Sequence, residues 1–338
     1  MNRQAGEAAA TMPETARPAL LDAVALSKVY LTPKGRLPAF ADVNCTVDKN
    51  KSLGIVGETG SGKSTLVRVL QLLERPTSGV VRFRGIDVTW LSEGRLRPLR
   101  RNMQFVAQDP YSSLFPNLTV AQNIVEPLHI HQIGNKAERF DRVIELMTLV
   151  GLPAEIYHSF PHELSGGQQQ RVAIARALAL EPEILILDEA VSSLDVSIQA
   201  QILNLMQRLK RELGITYVFI SHNLAVVRLL CEEVAVMYLG RIVEKGEADA
   251  VFRNPAHPYT RSLVVSIPAF RSEGVTPLPD ISQLRGERLS PTNLPPGCAF
   301  QTRCPLVSDS CRRGDGPELR EISPGRQVAC FQAELLDR

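Results

Sequence analysis

From Leu21 onward the chain alternates short β-branched, apolar runs with segments whose apolar residues recur every three or four positions. The first pattern predicts strands and the second helices, and their alternation predicts an α/β domain. Residues Ser52–Gly57 read as a buried strand, and Leu66, Val69, Leu70 and Leu73 then mark one face of a helix. The run Ile184-Leu-Ile-Leu187 is apolar at every position, as expected where both faces of a parallel sheet are covered. Between these strands, residues from about 110 to 180 are mostly helical in pattern, with Ile144, Met147 and Leu149 in one stretch and Val172–Leu180 in another. A helical insert in the α/β core is expected there. Ile198, Ile202, Leu205 and Leu209 follow at helical spacing, with a stop at Gly214 and a strand over Ile215–Ile220. Val234–Lys245 predicts a β-hairpin turning near Gly240.

The ends of the chain break this pattern. Residues 1–20 have no hydrophobic period and contain two prolines, which predicts a disordered leader. Beyond the hairpin, Pro255, Pro258, Pro268, Pro277, Pro279, Pro291, Pro295 and Pro296 punctuate the sequence. The expected division is a leader over 1–20, a main domain over 21–255 with its helical part near 110–180, and a C-terminal extension over 256–338. A length of 338 residues suits a main domain plus an appendage.

Composition narrows the classes. The hydrophobic fraction of 44% with 22% charged residues is that of a folded chain. The 38 basic and 36 acidic residues leave a net charge of +2, no footprint for nucleic acid. Arg95, Arg97, Arg100 and Arg101 form one dense basic stretch, read as a solvated helix face. No run approaches the roughly 18 apolar residues of a membrane span, and the N-terminus has no signal-like apolar core. The expectation is a cytoplasmic chain that reaches a membrane only through a partner. Cys45 and Cys231 stand alone and read as small buried apolar residues, whereas Cys298, Cys304, Cys311 and Cys330 crowd the tail. In a reducing compartment such a cluster reads first as a metal site rather than as disulfides.

Three stretches carry chemistry. Gly57-Glu58-Thr59-Gly60-Ser61-Gly62-Lys63-Ser64-Thr65 fits a phosphate loop between strand and helix, where glycines let backbone N–H groups and the helix start surround phosphates. Lys63 should reach the β- and γ-phosphates and Ser64 should ligate Mg²⁺. Asp188 and Glu189 end the second apolar strand; Asp188 suits the Mg²⁺ shell and Glu189 is the candidate general base that orients the attacking water. Leu164-Ser165-Gly166-Gly167-Gln168 precedes an Ala- and Leu-rich helix, so it is a second backbone site for an anion.

In this order the motifs resemble those of ATP-binding cassette (ABC) proteins, whose signature is Leu-Ser-Gly-Gly-Gln. The resemblance implies a P-loop ABC-type nucleotide-binding domain with a helical subdomain. It also implies that Gln108 touches Mg²⁺ and the transmembrane partner, that Ser193-Leu194-Asp195 is the D-loop, that His222 contacts the γ-phosphate, and that Tyr30 stacks on adenine. In this family the signature of one subunit covers the phosphate loop of another, so Ser165–Gln168 would serve a partner's nucleotide.

Gln108-Asp-Pro-Tyr-Ser-Ser-Leu114, Pro161-His-Glu-Leu164, Asp188–Asp195 and His257-Pro-Tyr-Thr260 resemble the oligopeptide, dipeptide and nickel importer ATPases more closely. Ala107 departs from them, since phenylalanine is usual there. The implied function is ATP hydrolysis driving import of di- or oligopeptides, with nickel or another small solute as the alternative, and a cassette acting on nucleic acid or ribosomes as the more distant one. The implied partners are a second, non-identical ABC ATPase subunit, two permease subunits and a periplasmic or lipid-anchored substrate-binding protein, with the chain peripheral on the cytoplasmic face of the inner membrane. Some members hold a [4Fe-4S] cluster in the tail. Four thiolates suit such a cluster or Zn²⁺, and the spacing C-x5-C-x6-C-x18-C does not choose between them.

Overall fold

The computed structural model describes residues 18–33, 35–192, 194–267, 289 and 294–336. Most of the expected leader, Ser193 and most of the proline-punctuated stretch lie outside the described residues.

The strands are β1 (Leu21–Thr32), β2 (Gly35–Val47), β3 (Leu53–Val56), β4 (Ser78–Phe83), β5 (Ile86–Asp87), β6 (Met103–Val106), β7 (Ile184–Asp188), β8 (Thr216–Ser221), β9 (Glu233–Tyr238), β10 (Arg241–Glu247), β11 (Arg320–Ser323) and β12 (Arg326–Val328). The helices are α1 (Lys63–Leu70), α2 (Glu93–Arg100), α3 (Pro110–Ser113), α4 (Val120–Ile130), α5 (Lys136–Val150), α6 (Gly166–Leu178), α7 (Val196–Leu213), α8 (Leu224–Leu230), α9 (Ala248–Arg253) and α10 (Pro258–Val265). A small antiparallel sheet runs β2-β1-β4-β5, and a larger one runs β11-β12-β10-β9-β3-β8-β7-β6. The expected α/β class and the helical stretch between β6 and β7 are both present.

The larger sheet is covered on both faces, which explains its all-apolar strands. Leu185, Leu187, Tyr217, Phe219, Val234 and Val236 face the helical core with α4 to α8. Their sequence neighbours Ile184, Ile186, Val218, Ile220, Ala235 and Met237 face the small sheet and α1. Period-two alternation thus divides each strand between two cores. Gly54 of β3 lets α8 approach, since a Cβ there would lie 2.2 Å from Val227 Cγ1. Within the helical part, Asn123 is fully buried and ties the chain before α4 together, accepting from Phe115 N and donating to the carbonyls of Phe115, Leu118 and Thr119.

Element ends differ from the sequence expectation by a residue or so, and two apolar positions fall outside the core. Leu73 follows the end of α1 and is exposed, and Ile144 lies at the solvent margin of α5. Cys45 and Cys231 are buried, as expected.

The extension is joined to the main sheet. Strand β12 pairs antiparallel with β10, and β11 adds beyond it. At this joint Glu244 is fully buried, accepting from the Ala256 and His257 amides and from Arg326 Nη2 at 2.8 Å. A buried charge needs this saturation, because an unpaired one costs several kcal/mol. His257 caps α10, its Nδ1 accepting from Tyr259 N at 3.0 Å, so the ring is held neutral.

Burial pushes the His257 pKa down from 6.5 to about 3. The folded value lies below the unfolded one, so this group's stability is complete above pH 6.5 and is lost progressively as pH falls toward 3. Chemical denaturation should show the wild type losing up to about 1.4 kcal/mol per pH unit more than His257→Asn below pH 6. Equal slopes for the two proteins would refute the buried neutral ring.

Candidate functional site

Four parallel strands deliver the candidate residues to one edge. β3 lies between β8 and β9, and β8, β7 and β6 follow in order with parallel pairing. The loop Gly57–Gly62 leaves the end of β3, Gln108 follows β6, Asp188 and Glu189 end β7, and His222 follows β8. Ligands bind at such carboxyl ends because backbone groups and helix starts are free there. Gly62 precedes α1 at φ 98° with no side-chain cap, so the first amides of α1 remain available to an anion. Two glycines are required by close backbone approach. A Cβ on Gly57 would lie 2.2 Å from the Met237 carbonyl oxygen, and one on Gly62 would lie 2.3 Å from that of Ala39.

Lys63 is buried, and its Nζ donates to the Gly57 carbonyl at 2.8 Å and the Glu58 carbonyl at 3.0 Å. Burial lowers its pKa, opposed by the carboxylates of Glu189, Asp188 and Glu58. Burial likewise raises the Asp188 pKa, with the charge of Glu189 adding to it and a hydrogen bond from Ser64 opposing it. A hydroxyl, a carboxylate and an amide oxygen are hard donors of the kind Mg²⁺ takes, and Ser64, Asp188 and Gln108 present these three to the cleft. Glu189 has φ 47°, with its amide anchored to the Ile220 carbonyl at 3.0 Å. Both of its carboxylate oxygens are engaged: Gln108 Nε2 donates to Oε2 at 3.0 Å, and His222 Nδ1 lies 3.3 Å from Oε1.

Gly62, Lys63, Ser64, Gln108, Asp188 and Glu189 line a cleft of about 490 Å³ together with Tyr30, Leu37, Pro38, Ala39, Thr59, Gly60 and Thr65, and His222 stands behind Glu189 outside that lining. Tyr30 stands at its rim, its hydroxyl donating to Glu74 Oε2 at 2.5 Å, with Lys28 Nζ 5.1 Å from the ring centre. The cleft does not include Ser165, Gly166, Gly167, Gln168 or Asp195. Ser165 instead caps α6 in a reciprocal box with Gln168 and is exposed. Asp195 caps α7, accepting from Ile198 N at 2.9 Å and from Ser197 Oγ at 2.7 Å. Ser193 lies outside the described residues. Arg95, Arg97, Arg100 and Arg101 lie on or beside α2, where Arg100 pairs with Glu93 and Arg97 donates to the Ile130 carbonyl.

Sequence reasoning missed the partners of Glu58. Its amide donates to Tyr259 Oη at 2.8 Å, and its carboxylate receives both Nη atoms of Arg303 at 3.0 and 3.2 Å. The run His257–Thr260 and the cysteine spacing around Arg303 marked these segments without indicating that they reach the phosphate loop.

The four tail cysteines lie in one region. Cys298 N donates to the Cys311 carbonyl at 2.8 Å, and Gln332 ties the ends together, its amide 3.3 Å from Cys330 Sγ and its Nε2 donating to Ser308 Oγ. Burial raises the thiol pKa values of Cys298, of Cys304 to about 11 and of Cys330 to about 12, and the neighbouring cysteines add to each rise. All are free thiols. Among the described residues no group of three or more His, Cys, Asp or Glu is arranged to hold a metal ion, so the expected tail cluster has no preformed ligand cage.

A family model described as ABC transporter matches residues 40–192, and one described as oligopeptide/dipeptide transporter, C-terminal region, matches residues 243–311. The chain is 46% identical to the di/tripeptide transport ATP-binding protein DppF of Pseudomonas aeruginosa, over 88% of this chain and 90% of that protein. It is 46% identical to the oligopeptide transport ATP-binding protein AppF of Bacillus subtilis, again over 88% and 90%. Among solved structures, a dimeric ATP-binding cassette in a post-hydrolysis state with ADP and phosphate aligns at TM-score 0.62 with 32% identity, covering 68% of this chain and 98% of that one. The cbiO1 protein of Clostridium perfringens, part of an ABC transporter complex, aligns at TM-score 0.64 with 29% identity, covering 76% and 98%.

Gly167 packs under α7, where an added Cβ would lie 2.6 Å from Ile198 Cγ2. Overpacking of this kind costs about 1–3 kcal/mol, so Gly167→Ala should lower the thermal midpoint by several degrees in scanning fluorimetry. An unchanged midpoint would show that α6 and α7 separate freely.

Proposed function

The chain belongs to the ABC transporter family, and from that premise we propose that it is the ATP-hydrolysing subunit of a di- or oligopeptide importer. It is an ATP hydrolase coupled to transport. The observation that carries the site assignment is that Glu189 is held by Gln108 and His222 in the same cleft as Lys63, Ser64 and Asp188.

In this reading the amides of Gly60, Gly62 and the first turn of α1 surround the phosphates of ATP, and Tyr30 stacks on adenine. Glu58, Thr59, Ser61 and Thr65 complete the loop. Ser64, Asp188 and Gln108 would hold Mg²⁺, which when bound would supply positive charge against the negative charge that builds up on the leaving diphosphate. Lys63 exchanges its two carbonyl contacts for β- and γ-phosphate oxygens. Glu189 accepts a proton from water as the water oxygen bonds to the γ-phosphorus. The bond to the bridging oxygen breaks, giving ADP and phosphate. Gln108 and His222 fix the carboxylate that aims the water, and His222 also contacts the γ-phosphate.

Ser165–Gln168 and Asp195 lie outside this cleft, which supports their serving the nucleotide of a second ATPase subunit, non-identical in this importer class. Closure of that pair would drive two permease subunits fed by a substrate-binding protein. Among the described residues no helix is long and apolar enough to cross a membrane. Peripheral attachment to the cytoplasmic face of the inner membrane through the permeases follows from the importer assignment. The working division is residues 21–255 as ATPase domain and 256–338 as extension.

For the tail, four clustered thiols of one protein region support a soft-metal group, with [4Fe-4S] ahead of Zn²⁺. Cys298, Cys304, Cys311 and Cys330 would supply it with thiolates, and binding must then displace their protons. Anaerobic purification should give iron and acid-labile sulfide in equal amounts with visible absorbance. Colourless protein containing zinc would refute the cluster.

Glu189→Gln should bind ATP, abolish turnover and elute with ATP as a dimer on gel filtration, alone or with its sister subunit. Hydrolysis at the wild-type rate would sink the role given to Glu189. In the reconstituted complex, di- and oligopeptides presented by the binding protein should stimulate hydrolysis. Stimulation by nickel instead would replace the peptide assignment.

A further inference from the structure

Glu58 is an acidic residue inside a loop that has to accept a polyanion. It is tied into the site, since its backbone carbonyl accepts from Lys63 Nζ at 3.0 Å. Left uncompensated, a carboxylate in this loop would repel the phosphates that the loop has to accept. The residue that compensates it comes from the extension. Arg303 is 245 positions away in sequence, is 8% exposed, and meets Glu58 in a two-pronged ion pair at 3.0 and 3.2 Å.

The guanidinium is itself fixed. Its carbon lies 5.9 Å from the Tyr238 ring centre and 5.8 Å from that of Phe300. Tyr238, Tyr259 and Phe300 pack mutually with ring centres 4.7 to 5.6 Å apart. Phe300 is 1% exposed and Tyr259 0%. Tyr259 adds the second grip on Glu58, its Oη accepting the hydrogen bond from the Glu58 amide already described. The first residue of the loop after Gly57 is therefore held by side chain and backbone, and both holds come from residues beyond 255.

We infer that Arg303 is a positioning residue for nucleotide binding, neutralising Glu58 and fixing the phosphate loop from the C-terminal extension. The inference rests on the reading of residues 57–65 as the nucleotide site. It gives the extension a direct part in setting ATP affinity.

Isothermal titration of the full chain with Mg-ATP tests it. Arg303→Met should weaken binding about 10-fold, within the range of ordinary inter-site coupling. Glu58→Gln removes the charge needing compensation, so in a Glu58→Gln background the further substitution Arg303→Met should change affinity by no more than about 2-fold, and the double variant should bind more tightly than Arg303→Met alone. A strut with no electrostatic part would not be rescued by the second substitution. Equal affinity of wild type and Arg303→Met, or a double variant no better than Arg303→Met, would overturn the inference while leaving the nucleotide site intact. If Arg303→Met does not fold, Arg303→Gln is measured in its place, weakened binding supporting the inference and wild-type binding overturning it. Failure of the wild type to bind Mg-ATP would instead overturn the nucleotide-site reading, and the inference with it.

Discussion

The cleft depends on parallel pairing of β3 with a neighbour on each side. Parallel strands end together, so their carboxyl ends present a row of loops at one edge, and the groups proposed to touch phosphate or water in this cleft lie on the segments that follow β3, β6, β7 and β8. The pairing in turn requires a sheet with no solvated face. That is why β3, β7, β8 and β9 are apolar in both alternating sets, and why two cores are needed rather than one. The small sheet and α1 close one side and the helical part closes the other. The loop at the end of β3 can be tight only because Gly57 and Gly62 allow backbone carbonyls of β9 and β2 to approach.

On this scaffold the electrostatics are poised between opposing demands. Burial disfavours the charge on Lys63 and on Asp188 alike, and each is partly sustained by the other. A polyphosphate with its cation adds both signs at once, so the cleft can take up the pair together while a lone anion or a lone cation would disturb the balance. Glu189 contributes geometry: its strained backbone and two side-chain partners fix where a carboxylate oxygen points.

Much of this was legible in the sequence because the information is local. A phosphate loop, an Asp-Glu strand end and a capped helix start each need specific residue types at adjacent positions, and the apolar runs reveal the strands between them. The legible part ends where contacts are distant or short. Arg303 and Glu58 carry no mutual signal across 245 positions. Strand β12 spans three residues, too few for a period to show, yet it decides where the extension docks. Leu73 fits the helical spacing of α1 but follows its end, since the chain turns at Leu72, which has φ 57°. Ser165 and Asp195 were recognised by motif, their capping bonds could be anticipated from residue type, and a place for Ser165–Gln168 outside this chain's own cleft is what the family resemblance implied.

The docking of β12 has a consequence for how such a chain can change over generations. A sheet edge with unpaired amides is an invitation to pair with another molecule, and β10 would present such an edge without the segment beyond residue 320. Glu244 would also be left buried without Arg326. The extension is therefore not a detachable module. Recombination that exchanged it between relatives would have to carry a matching edge strand and a matching buried cation.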